Sequence, residues 1–579
     1  MLKHPISSSR ITRRQFVTGL GATTLLPNAA RATPLGNSNI PAVSSNQWDL
    51  RIQRSKITLD GKTLNAPCVN GTVPGPVLRW KEGETVSLTI TNTLKEDTSI
   101  HWHGIRLPSQ MDGVPGLSFY GIPPGQKFTY TFPVQQSGTY WYHSHSNMQE
   151  AIGLYGAIII DPLTPDPIPC ERDYVIFLGE WTDAMPDDII SNLKMQSDYY
   201  NFRQRTLASL PKEAQHAGST SAALKDRLMW SRMNMAATDI SDVTGIVYTY
   251  TLNGHAPDTN WTGLFRPGER IRLRFINGAA MTFFDVRIPG LEMLVVQADG
   301  NNVEPVPVDE FRIGVAETYD VIVQPKDNRA YTLFAQSEDR TGYARGTLAP
   351  ALRMSGIIPP MDPRPVRTMV DMGMGHMDMP SMSTMKMPSM NMGGMAMNMP
   401  PSSPSPIVED PGPPPLNVEN QNIAQAPIDR TGSPGDGLEH NGRRVLTYKH
   451  LRALRPGTDP RPPSREIILH LTGNMERYIW GFNGRKYSES GPIRLHKGER
   501  VRFTLINDTM MEHPIHLHGL WSELENGHGE YRPYKHTLIS QPGSRMSYLV
   551  TADVPGMWAY HCHLLYHMDL GMFRTVIVS

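Results

Sequence analysis

Cysteine is nearly missing from this chain: three in 579 residues allow at most one disulfide, so no covalent framework staples the fold. Cys68 and Cys170 can pair in an oxidising compartment or remain as small buried hydrophobes. An excess of charge is missing too. Lys+Arg 55 balance Asp+Glu 55, which argues against a nucleic-acid binder and against long-range steering of a charged partner. No stretch reaches the roughly 20 apolar residues that a membrane-spanning helix needs. What is plentiful is Pro (50), Gly (49), Met (32) and His (20). The length exceeds a single core, and the Pro and Gly content suits several turn-rich β-domains.

The densest chemistry lies near the C-terminus, in His561-Cys562-His563 followed by His567 and Met572. On an extended strand, neighbouring side chains face opposite ways, so Cys562 can serve one metal while His561 and His563 serve another. A thiolate, two imidazoles and a weak thioether are the ligand set of an electron-transfer blue copper site. Cys562, His567 and Met572 supply three of these, and His513 can supply the second imidazole. Four His-X-His pairs occur: His101/His103, His143/His145, His516/His518 and His561/His563. One pair alone would mean little, but four pairs with a cysteine inside one of them point to metal.

An internal repeat organises these ligands. Gly83-Glu84-Thr85-Val86 runs to Asn92, Gly268-Glu269-Arg270-Ile271 to Asn277, and Gly498-Glu499-Arg500-Val501 to Asn507, at one spacing and with the period-2 apolar pattern of strands. Three copies of one β-domain follow. The first and third continue into His-X-His, whereas the middle one continues Gly278-Ala279-Ala280-Met281. Ser144 stands in the first copy where Cys562 stands in the third, so only the third can build a blue site. The remaining cluster is predicted at the interface of the outer copies, with the middle one as spacer.

Three segments fall outside the repeat. Thr12-Arg13-Arg14-Gln15-Phe16-Val17, an apolar stretch over 17–26 and Ala30-Arg31-Ala32 read as a twin-arginine signal over 1–32, implying the Tat export machinery as partner and a soluble periplasmic product. Within residues 181–245, Ala222 to Trp230 reads as an amphipathic helix with a stripe at Ala223, Leu224, Arg227 and Leu228. Met229, Met233 and Met235 in or after it are expected to pack a cap. Residues 356–440 form a Met- and Pro-rich linker holding thirteen methionines over 369–399, with Met372, Met374, Met377 and Met379 closely spaced. It has too few branched or aromatic residues for a core and is expected to be disordered or loosely ordered. Thioethers select Cu(I), so the segment suggests cuprous-ion capture, against the plainer reading of a linker whose methionines scavenge oxidants.

The strings His101-Trp102-His103-Gly104, Trp141-Tyr142-His143-Ser144-His145, His513 to Gly519 and His561 to Met572 resemble, in order, the four copper motifs of multicopper oxidases. The signal, the middle insertion and the Met-rich insert together resemble the bacterial copper-resistance oxidases of the CopA type. The resemblance implies an all-β fold of three cupredoxin-like Greek-key barrel or sandwich domains, at 46–163, 170–355 and 441–579. It implies four copper ions: type 1 on His513, Cys562, His567 and Met572; type 2 on His101 and His516; and type 3 on His103, His143 and His563 and on His145, His518 and His561. It implies a monomer that takes electrons from Cu(I) or small phenolic reductants and reduces O2 to water, for copper tolerance by oxidation, by sequestration or by both. Asp112 matches the aspartate such oxidases carry after their first motif and is a candidate proton relay, although Asp-Gly is also a common turn pair. Leu564, Leu565 and Tyr566 fill a place where some members have an acid, so the resemblance supplies no second relay there.

Overall fold

The structure, a computed structural model, describes residues 42–374 and 406–579. Its strands form six sheets, two for each repeat, and each pair of sheets encloses an apolar layer. The repeat strands Thr85–Asn92, Ile271–Asn277 and Arg500–Asn507 occupy matching places. Each runs parallel to an earlier strand (Gln47–Leu59, Arg172–Trp181 or Arg465–Asn474) and antiparallel to a later one (Lys127–Pro133, Thr318–Val323 or Arg545–Thr551). The chain is an all-β protein of cupredoxin-like domains, as expected.

The asparagine that closes each repeat has a physical reason. Asn92, Asn277 and Asn507 are fully buried, and each side-chain amide donates to two backbone carbonyls: Glu96 and Ile122, Thr282 and Ile313, or Met511 and Ser540. Each Oδ1 accepts from the backbone two residues on. The amide thereby pins the loop that leaves the strand, and in the outer modules that loop leads to the first His-X-His pair. A buried backbone group left unpaired would be costly, which explains a residue able to donate twice and accept once.

Ion pairs join the modules. Arg274 of the middle module meets Asp173 and Asp320 and donates to Thr139 of the first (2.9 Å). Arg312 of the middle module reaches Glu512 of the third (3.1 Å). Lys535 of the third module is wholly buried between Asp299 and Glu317, 2.9 Å from each.

Two expectations need correction. The helix Thr220–Arg232 exists, capped where the Ser219 hydroxyl accepts from Ala222, but of the expected stripe it buries only Ala223, together with Trp230. Leu224 and Leu228 are about half exposed, and Arg227 reaches back to Glu213 and Thr206. The flanks of the Met/Pro segment are also not loose. Arg367 is buried, its N–H donating to Ala237, the N–H of Ala426 donates to the Gly373 carbonyl, and Ile407–Glu409 joins a third-module sheet. Met372 is only 1 % exposed and Met374 half-buried, so packing in the core, not capture from solvent, occupies Met372; Met377 and Met379 lie outside the described residues. All three cysteines are unpaired, with Cys68 buried and donating to the Gln53 carbonyl. No helix among the described residues is long and apolar enough to cross a membrane.

Candidate metal centre

In the third module, strands His513–Leu517 and Gly556–Cys562 run antiparallel, with His516 opposite His561 and Ile515 opposite Cys562. In the first, His101–His103 runs antiparallel to Gly138–His143, with His101 opposite His143. The outer modules face each other across these strands. His101 stacks on His518 and His103 on His516, at 3.9 Å between ring centroids in both cases. Strand alternation sends Cys562 the other way. Its Sγ lies 3.5 Å from Nδ1 of His513 and 3.8 Å from Nδ1 of His567, and those two nitrogens are 3.3 Å apart. Met572 is buried beside them, its N–H donating to the His567 carbonyl and its carbonyl accepting from Cys562.

The histidine nitrogens fall into compact groups. His103, His143 and His563 converge, as do His145, His518 and His561, and His101 and His516 share a third group with His103; within each, the candidate ligand atoms lie within 4.8 Å of one another. Burial pushes His103, His143, His145, His516, His518 and His563 well below the usual histidine range, and His561 to about 3. The rings are therefore neutral and offer lone pairs. Burial likewise pushes the Cys562 thiol up, so a metal has to displace its proton.

Outer contacts set which nitrogen faces inward. Nδ1 of His518 meets Asp112 Oδ2 (2.8 Å), and Nδ1 of His101 donates to the Asp112 carbonyl (2.8 Å), so one residue orients a ligand candidate from each outer module. Nδ1 of His516 donates to the His536 carbonyl, and Nδ1 of His561 to that of Cys562. His103 is turned the other way: its Nε2 meets His536 and Thr537, leaving Nδ1 inward.

Several groups at the site carry no local sequence signal. Glu150 Oε2 lies 2.7 Å from Nδ1 of His143, and Oε1 lies 3.7 Å from Nδ1 of His563; burial holds its carboxyl well above the usual range. Asp242, from the middle module, accepts from Nε2 of His567 (2.8 Å), while the Thr509 hydroxyl meets Nε2 of His513 (2.7 Å). The middle module is thus more than a spacer. Its Ala280 carbonyl also accepts from Leu565, the first residue of the helix Leu565–Asp569 that carries His567.

Three sequence profiles, each described as Multicopper oxidase, match residues 51–165, 172–351 and 460–579. This chain belongs to the multicopper oxidases. It is 50 % identical to Copper resistance protein A of Escherichia coli, over 98 % of this chain and 99 % of that one. It is also 50 % identical to a Copper resistance protein A homolog of Pseudomonas syringae pv. tomato, over 99 % and 100 %. Among solved structures, Fet3p, a multicopper oxidase that functions in iron import, aligns with a TM-score of 0.63 at 19 % identity (93 % of this chain, 91 % of that one). A laccase from Botrytis aclada aligns at 0.60 and 21 % (94 % and 88 %). These two likenesses concern the fold. This multicopper oxidase uses O2 as acceptor and four copper ions as cofactor: one type 1, one type 2 and two type 3.

The residues present fit those ions. Nε2 of His101, His143, His145, His516 and His563, and Nδ1 of His103, are buried with no hydrogen-bond partner. Nε2 of His518 and of His561 face each other at 3.0 Å. Orphaned imidazole nitrogens aimed at one another inside a protein are costly unless a cation sits among them.

Proposed function

We propose that this enzyme oxidises Cu(I), with small phenols as alternative donors, and so serves copper tolerance in the periplasm after export through the twin-arginine route. The name copper resistance protein A on relatives 50 % identical over nearly the whole length supports the tolerance role. The soft thioethers over 369–399 support a cuprous substrate.

The proposed ligands are His513, Cys562, His567 and axial Met572 for type 1 and His101 and His516 for type 2. His103, His143 and His563 would hold one type 3 ion, and His145, His518 and His561 the other. Bound copper supplies one-electron acceptance at the type 1 site and four-electron reduction of O2 to two waters at the other three. With copper bound, Cys562 would link the two regions, since it would hold the type 1 ion while its neighbours His561 and His563 on the same strand would each hold a type 3 ion. Asp112 holds His101 and His518 in their tautomers, and its carboxylate is the proposed proton relay. Thr509 and Asp242 fix the type 1 imidazoles from outside.

One observation carries the reading: Cys562 meets His513 and His567 while the histidines flanking it in sequence point into the opposite cluster. Cys562→Ser tests it. The variant is expected to lose the blue thiolate-to-copper absorption and all oxidase activity. Full copper tolerance in cells carrying it would favour sequestration by the Met-rich segment as the protein's role.

A further inference from the structure

The repeat extends to the four type 1 ligand positions, and the first module has other residues in those places. His101 pairs with His143 as His516 pairs with His561, so Ser144 takes the position of Cys562. Thr98 lies six residues after Asn92, and His513 lies six after Asn507. Gln149 and Leu154 lie five and ten residues beyond Ser144, as His567 and Met572 lie beyond Cys562. The backbone repeats the same pattern. The Ser144 N–H donates to the Leu154 carbonyl (3.0 Å) as that of Cys562 does to Met572 (3.1 Å). The Leu154 N–H donates to the Gln149 carbonyl (3.0 Å) as that of Met572 does to His567 (2.9 Å). Thr98, Ser144, Gln149 and Leu154 therefore stand where the third module has His513, Cys562, His567 and Met572. The middle module has Phe283 at the first of these places.

The three polar replacements bind one another. All are buried, and Oε1 of Gln149 accepts from the Thr98 hydroxyl (2.7 Å) and from the Ser144 hydroxyl (2.9 Å), which uses both of its lone pairs. The Gln149 amide donates to the Asp97 carbonyl (2.9 Å), and Oγ of Ser144 accepts from the Ser146 N–H (3.1 Å). Each side-chain oxygen and nitrogen of the trio thus has a partner. Their places in the chain give the bonds a consequence. Thr98 lies three residues before His101, and Ser144 lies between His143 and His145. The trio ties the loop that enters the first His-X-His pair to the strand end that carries the second. Ser99 adds to the tie, its hydroxyl accepting from the His145 N–H (3.0 Å).

We propose that Thr98, Ser144 and Gln149 form a metal-free clamp that positions His101, His143 and His145 for the trinuclear copper cluster, in the place where the third module uses a copper ion for the same task. The inference rests on the ligand assignment above and adds the residues that hold its first-module half. In the third module, His513, Cys562 and His567 are drawn together by the type 1 ion once it is bound, and that bond also fixes the strand carrying His561 and His563. In the first module, one amide oxygen shared by two hydroxyls fixes the equivalent strand. Gln149 is suited to this because its side chain accepts twice and donates at its other end, whereas leucine would leave both hydroxyls buried and unpaired. The three are positioning residues: they touch none of the reacting atoms and act through the backbone that carries the ligands. The two halves of the cluster are therefore held by different means, one by hydrogen bonds alone and the other with the help of the type 1 ion.

Two variants of the full-length, copper-loaded protein test the clamp. Gln149→Leu removes the shared acceptor and leaves two hydroxyls unpaired. The triple variant Thr98→Val/Ser144→Ala/Gln149→Leu removes the clamp and leaves no hydroxyl behind, so it isolates the loss of positioning from the cost of buried unpaired groups and decides the matter if the single variant fails to fold. Copper retention is measured against a graded chelator series. Blue absorption reports the type 1 ion, near-ultraviolet absorption the type 3 pair and paramagnetic resonance the type 2 ion. Both variants are expected to keep the blue absorption while holding the cluster ions about tenfold or more less tightly, the order of loss when an outer support is removed. A triple variant that holds the cluster ions within about twofold of the parent, well below that order, overturns the proposal. Parallel loss of the blue absorption and the cluster signals overturns it too, because that marks general destabilisation instead of positioning. A failure of the ligand assignment looks different: the parent itself would then lack the type 2 and type 3 signals.

Discussion

Removing the Asp242 carboxylate should weaken the type 1 site from a module that contributes none of the proposed type 1 ligands. Asp242 accepts from Nε2 of His567 at 2.8 Å, and both residues are buried, at 2 % and 0 % exposure. In Asp242→Ala the imidazole N–H loses its partner in a place water does not reach, while Nδ1, 3.8 Å from the Cys562 sulfur, loses its fixed direction. Loss of such an outer hydrogen bond costs about 10–100-fold in metal affinity, or about 1.4–2.8 kcal/mol. Asp242→Asn separates orientation from charge. Its amide oxygen still accepts from His567, so copper should be retained, while loss of the nearby negative charge stabilises Cu(I) over Cu(II) and raises the type 1 reduction potential. The assay is copper retention against a graded chelator series, with the blue absorption and a redox titration on the same samples. An alanine variant that keeps its copper as tightly as the parent, with an unshifted potential in the asparagine variant, would refute the assignment of Asp242 as a support for His567.

Two further outcomes follow from buried groups. Glu180 accepts from the N–H groups of Ala280 and Met281, and burial raises its carboxyl from 4.5 to about 7. Between those values the folded protein keeps a proton that the unfolded chain has released, so this group's contribution falls as pH rises through that window, by on the order of 3 kcal/mol in all. Denaturant titrations from pH 5 to pH 8 should therefore show a shallower decline in Glu180→Gln than in the parent, and parallel curves would contradict this. Gly113 has φ +79, and a Cβ there would lie 1.9 Å from the Ile100 carbonyl oxygen. Gly113→Ala should cost about 1–3 kcal/mol for the left-handed backbone alone. Displacing the adjacent Asp112 should also reduce copper content at His101 and His518, which metal analysis reads directly.

Metal chemistry was legible in the chain because strand alternation is a local rule. His561-Cys562-His563 splits its ligands between two sites whatever else the protein does, and the recurring Gly-to-Asn spacing marked the three β-units before any contact was known. Local rules also misled. The stripe over Ala223, Leu224, Arg227 and Leu228 suggested a buried face, yet of these only Ala223 is buried, with Trp230, and the helix leaves Leu224 and Leu228 about half exposed. Composition made the Met/Pro segment look loose, although Arg367 and Met372 anchor its first flank in the core.

Which groups surround those ligands was decided only by the closing of three modules on one another. His567 and Asp242 are 325 residues apart, and His103 and His536 are 433 apart. Glu150 belongs to none of the four His-X-His motifs. A ligand type is encoded in a residue and its nearest neighbours. Orientation, tautomer and access depend on side chains that meet in space, and no spacing along the chain records those meetings.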